Sequence, residues 1–166
     1  MSQHAQNQEL AEKTEKKRAR NLRQKKRINA RRRLTQILYQ WQITGDKPHR
    51  VLDLFVEYSD EQDDNYDKEY FELAYQEITS RREELDALIE KYAKRATDEI
   101  DPVEHAILWI GFYEILYRPD IHNTVVINEA VELVKLFGAV DTSYRFINEI
   151  LDKCAKNLSA EQNSGS

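Results

Sequence analysis

The segment Leu34-Thr35-Gln36-Ile37-Leu38-Tyr39-Gln40-Trp41 places Leu34, Ile37, Leu38 and Trp41 at i, i+3, i+4 and i+7. Side chains at those intervals share one face of an α-helix, so the spacing specifies a helix with a single buried stripe, and Gly45 is placed to end it. The pattern returns at Val51, Leu54, Phe55 and Tyr58. It returns again at Tyr70, Phe71, Ala74, Tyr75 and Ile78, at Leu85, Leu88, Ile89 and Tyr92, and at Phe146, Ile150, Leu151, Cys154 and Leu158. Four glycines and three prolines in 166 residues supply too few turns for a strand-rich fold. The fold class expected is therefore all-α, about seven helices around one core of ordinary size.

Polar residues mark the expected helix ends. Asp101-Pro102-Val103-Glu104 is a start signal, with Asp101 as cap, Pro102 at the first helical position and Glu104 at capping-box spacing. The helix it opens is apolar most of the way round and ends before Pro119, so it should be the central one. Thr79 or Ser80 is expected to cap the fourth helix, Thr124 the sixth, and Asp141 or Thr142 the last. Gly138 is expected to stop the sixth in a left-handed conformation.

Charge is distributed unevenly. Lys13 to Arg33 holds twelve Lys or Arg against one acid, Glu15, a net of +11. Leu34 to Ser166 holds thirteen basic and twenty-seven acidic residues, a net of −14. A basic block on an acidic body points to a polyanion at one end and a basic partner elsewhere, although such blocks also serve only as solubilising tails. Residues 1–26 have no core face and are expected to be a flexible or partly helical extension. Residues 27–158 form the expected domain and 159–166 a flexible tail.

Catalytic chemistry finds little support. His4, His49, His105 and His122 are scattered, with no His/Cys cluster at zinc spacing, and the acidic run Ser59 to Glu69 lacks the glycine of a calcium loop. Cys154 lies on an apolar stripe and reads as a small buried side chain. There is no phosphate-binding glycine loop and no nucleophile elbow. No enzyme activity, metal or other cofactor is expected. No apolar run approaches membrane-spanning length and no signal segment is evident, so the cytoplasm is the expected location.

The first helix carries the binding signal. With its core stripe fixed by Leu34 and Trp41, Arg32, Gln36 and Tyr39 fall on the opposite, solvent side. Arg27 and Arg31 continue the core stripe, but are expected to lie past the end of the core, uncovered. A cation, an amide and an aromatic ring on one strip suit single-stranded RNA: phosphate neutralisation, base-edge hydrogen bonding and stacking. Equally, Tyr39 could simply lie along a neighbouring helix.

The segments LTQILYQWQ, PVEHAILWIGFYEILYRPDI and VVINEAVELVKLFGAVDTSYRFINEILDK together resemble the bacterial transcription antitermination factor NusB family, over about Arg27 to Leu158. The resemblance implies a helical domain of two subbundles. It implies binding of the boxA element of nascent ribosomal RNA leaders together with NusE, the free form of a small-subunit ribosomal protein, in a complex that keeps RNA polymerase from terminating. Arg23, Arg27 and Arg31, with Gln36 and Tyr39, occupy the family's RNA-contacting places in the N-terminal segment and first helix. Arg145 and Phe146 match a basic residue and a phenylalanine on the same RNA surface. Glu104, with Tyr39 close by, matches the NusE-facing position. Three departures stand out: the extra basic residues Lys13, Lys16, Lys17, Arg18 and Arg20; Trp109 where the family commonly has arginine; and a Val140 to Tyr144 loop one residue longer. Homodimerisation occurs among relatives and is left open. The alternatives are a purely protein-binding scaffold, in which the basic segment is inert, and an RNA-binding module serving an rRNA-modifying enzyme.

Overall fold

The computed structural model describes residues 2–59, 65–138 and 143–164, and these form seven α-helices. They are α1 (Gln3–Thr44), α2 (Pro48–Tyr58), α3 (Lys68–Ser80), α4 (Arg82–Ala93), α5 (Pro102–Tyr117), α6 (Asn123–Phe137) and α7 (Ser143–Ser164), with one 3-10 turn at Thr97–Glu99. There is no strand among the described residues. The expected caps Asp141 and Thr142, residues 140–142 of the lengthened loop, and residues 60–64 of the acidic run lie outside them.

α5 is the axis of the domain. It packs against α1 and α3 on one side and against α4, α6 and α7 on the other, which joins two subbundles through one helix. That is why its sequence is apolar all round: every residue from His105 to Glu114 is buried. Asp101 caps it as expected, accepting from the amides of Val103 and Glu104, with Pro102 in the first turn. Leu34, Ile37, Leu38 and Trp41 all turn inward, and Gly45 closes α1 at φ 65°, a left-handed conformation that glycine adopts without a Cβ penalty.

Several expectations about ends fail for identifiable reasons. Thr79 and Ser80 do not cap α4; their hydroxyls bond back to carbonyls of α3, which runs through Ser80. The sixth helix starts two residues earlier than Thr124 as cap implies, with His122 as cap. Gly138 does stop α6, but in an extended conformation, φ −84° and ψ 147°. A Cβ there would meet the Val134 carbonyl oxygen at 2.6 Å, so close approach rather than handedness calls for glycine. In α2 only Val51 is buried; Phe55 is half-covered and Leu54 and Tyr58 face solvent.

α1 is one unbroken helix from Gln3, and its residues through Lys25 are all exposed. Strong helix formers carry it, namely Ala, Glu, Gln, Lys, Arg and Leu, with Ser2 as cap and a Glu9–Lys13 pair at i, i+4. The body takes hold where α3 begins: the Asp67 amide donates to the Lys26 carbonyl at 3.1 Å, and the Asn29 side-chain amide to the Asn65 carbonyl at 2.7 Å.

Candidate nucleic-acid interface

α1 presents two faces with opposite fates. On the inner face, Arg31 is buried, only 4% exposed, with its Nε 3.0 and 3.3 Å from the two carboxylate oxygens of Glu114, itself 1% exposed. The Tyr70 hydroxyl donates to the same carboxylate. Burial works against the charge on Arg31, but Glu114 and the neighbouring Tyr70 outweigh it, and the guanidinium is held above its ordinary value. Burial and the adjacent Glu114 push the Tyr70 phenol well up, so it stays a donor. The expectation that Arg31 lies uncovered beyond the core is therefore corrected. The core reaches about a turn past Leu34 along α1, burying Ala30 and Arg31, because a carboxylate from the last turn of α5 meets the arginine there. Arg27 is half-buried beside it. Its Nε lies 3.2 Å from Asp67, and its guanidinium sits 4.2 Å above the Tyr70 ring.

On the outer face Arg32, Gln36 and Tyr39 are all exposed, Tyr39 by 40%. Gln36 and Tyr39 line a cleft of about 520 Å³ whose far wall is Val103 at the start of α5, Phe137 at the end of α6, and Phe55 of α2. Tyr39 thus borders the neighbouring helices while keeping its ring open to solvent. Arg32, Gln36, Asn29 and Gln40 also line a second groove of about 620 Å³, closed by Leu54 and Tyr58 of α2. Reading α2 as a buried stripe missed these two residues. Their spacing shows which face they share, and only the single-edged docking of α2 on α1 decides that they stay outside.

Glu104 does not complete a capping box. Its carboxylate accepts from the Ser143 hydroxyl, tying the start of α5 to the start of α7. Arg145 and Phe146 follow two and three residues after Ser143. Arg145 is exposed, with its guanidinium 5.9 Å from the Tyr144 ring, and half-buried Phe146 has the Arg95 guanidinium 4.6 Å from its ring centre. Tyr39 through Val103, and Arg145 through Ser143, therefore both adjoin the α5 N-terminus. Arg23 is exposed and stands apart, lining a cleft of about 450 Å³ with Arg27, Arg31 and, from α6, Val125 and Glu129. Burial raises the Glu129 carboxyl. Arg95 was not singled out from the sequence, since an isolated arginine after a helix carries no pattern.

Trp109 has an interior role. Its indole N–H donates to Asp86 at 2.7 Å, the acid that also meets His105 Nε2 at 2.7 Å, and its ring packs on His105 and Trp41. Burial pushes the Cys154 thiol up to about 11, as suits an inert core cysteine. Among the described residues, no three His, Cys, Asp or Glu converge as metal ligands, and no helix is long and apolar enough to cross a membrane.

These features define a class: an all-α binding domain, two helical subbundles on one central helix, with cations, amides and rings displayed along the outer face of its first helix. The sequence profile of the NusB family matches residues 28–156, and the chain belongs to that family, which is non-catalytic. It is 41% identical over 139 residues to the transcription antitermination protein NusB of Haemophilus influenzae (strain 86-028NP), covering 81% of this chain and 94% of that protein. It is 39% identical over 136 residues to NusB of Marinomonas sp. (strain MWYL1), covering 82% and 78%. Among solved structures it is similar to a crystal structure of antitermination factors NusB and NusE in complex with dsRNA. That likeness has a TM-score of 0.67 and 26% identity, over 78% of this chain and 96% of that one.

Proposed function

We propose that the chain is a transcription antitermination factor that binds boxA RNA of ribosomal RNA leaders as a single strand, acting with NusE in the RNA polymerase complex in the cytoplasm. The observation that carries this is the exposed set Arg32, Gln36 and Tyr39 beside the α5 N-terminus. It joins phosphate, base-edge and stacking chemistry on one rigid helix within a family whose solved relative holds both NusE and RNA. Arg145 and Phe146 extend the RNA surface across the start of α7. Arg23 adds charge at the other end, Arg27 contributes through its remaining guanidinium edge, and Arg31 supports the helix from within. NusE, a basic protein in this reading, docks on the acidic body near Tyr39 and Glu104.

Fluorescence anisotropy with labelled boxA RNA, with and without NusE, tests this. Base stacking on an aromatic side chain contributes about 1–3 kcal/mol, so Tyr39→Ala should weaken RNA binding by about 5- to 150-fold, and Glu104→Lys should weaken the gain from NusE. RNA affinity that is indifferent to Tyr39→Ala and to scrambling the RNA would favour the protein-binding scaffold instead.

A further inference from the structure

The half of α1 that projects from the body lies outside the family match, which begins at Ile28. It carries most of the +11 block, and the helix sorts that charge onto distinct lines. Lys13, Lys17, Arg20, Arg27, Arg31, Leu34, Leu38 and Trp41 follow alternating four- and three-residue steps, with Gln24 completing the series. This line is the core seam prolonged. It is apolar inside the body, neutralised by Asp67 and Glu114 at the body's edge, and basic beyond it.

A second line runs along the solvent face. Arg18, Lys25, Arg32 and Tyr39 recur every seven residues, and seven residues turn a helix about 700°, roughly 20° short of two full turns. The four side chains therefore lie nearly in line over about 32 Å. All four are exposed, none of Arg18, Lys25 or Arg32 joins an ion pair found among the described residues, and α1 contains no Asp or Glu after Glu15.

We infer that this solvent line is a phosphate rail: single-stranded RNA seated at Tyr39 and Gln36 continues outward along Arg32, Lys25 and Arg18. The inference rests on the function proposed above and extends its footprint beyond the folded body. At about 3.4 Å per nucleotide of a stacked strand, the line spans about nine nucleotides. Its occupant is RNA rather than an acidic protein segment because the line is continuous with a ring and an amide that suit bases. The seam line instead runs into carboxylates and away from Tyr39. The rail reads no sequence; it adds length and salt dependence.

The test compares a short boxA RNA with the same RNA flanked by about ten uridines on each side, titrated at several salt concentrations. Two variants remove equal charge from neighbouring positions of the same helix: Arg18→Gln with Lys25→Gln on the rail, and Lys17→Gln with Arg20→Gln on the seam. Glutamine keeps helix propensity, and circular dichroism checks this. The flanked RNA should show the steeper log-log salt slope. The rail variant should lower that slope by about 1.4, at about 0.7 per lost single-strand contact, and leave the short RNA unchanged. The seam variant should keep the steep slope. Flanks that add no steepness, or two variants that act equally, would overturn the rail. Failure of the short RNA to bind would sink the proposed function instead, and the rail would then stand or fall on the two variants with the flanked RNA alone.

Discussion

Replacing Arg31 by methionine removes a guanidinium 3.0 Å from a carboxylate that is 1% exposed, and keeps most of the side-chain volume. Among the described residues, Glu114 would be left buried with the Tyr70 hydroxyl as its remaining hydrogen-bond partner. Removing one member of a buried ion pair costs about 3–5 kcal/mol, a large part of the roughly 5–15 kcal/mol that holds a domain together. At about 2–4 °C per kcal/mol for a chain of this size, Tm should fall by about 6–20 °C. Calorimetry or urea denaturation at pH 7 measures this. The combination Arg31→Met, Glu114→Leu and Tyr70→Phe exchanges the whole polar cluster for apolar groups and should recover much of the loss, because no charge is stranded. Below the transition, the salt slope for RNA should be the same for Arg31→Met as for the wild type. A loss under about 1 kcal/mol, or a slope lowered by about 0.7 with stability intact, would refute the reasoning and return Arg31 to the RNA surface.

Gly111 of α5 lies against α7, where a Cβ would come 2.7 Å from Leu151 Cδ2; Gly111→Ala should overpack this contact and cost about 1–3 kcal/mol by denaturant titration. Alkaline pH should also destabilise the fold. Burial raises the Tyr70, Tyr75 and Tyr113 phenols, and a hydrogen bond to Glu84 raises that of Tyr117, so their contribution is intact below pH 10 and declines as pH rises past the unfolded value. Absorbance at 295 nm should show these four among the nine tyrosines ionising late, together with unfolding; early titration of all nine would contradict the burial argument.

Helix α5 shows how far periodicity alone carries. Asp101, Pro102 and the all-round apolar run were enough to place its start, its end before Pro119 and its central position, since capping and burial on every side leave local marks. The same holds for the Leu34 to Trp41 stripe, and hence for the outward direction of Arg32, Gln36 and Tyr39. Short-range signals were weaker where two partners compete for a group. Ser80 could bond forward to cap α4 or back to α3, and Glu104 could complete a box or meet Ser143; the choice depends on what packs nearby.

Arg31 marks the boundary between the two kinds of information. Helical phase puts it on the core line whatever the rest of the chain does, because 3.6 residues per turn is a local property of the backbone. Whether that line meets solvent, phosphate or protein depends on Glu114, 83 residues away in sequence, and on Tyr70 from a third helix. The sequence by itself determined the helices, the inner and outer faces of α1 and the uneven charge. Tertiary structure decided which arginines that charge leaves available, because long-range pairing consumes Arg31 and most of Arg27 and leaves Arg32, Lys25 and Arg18 in line with Tyr39.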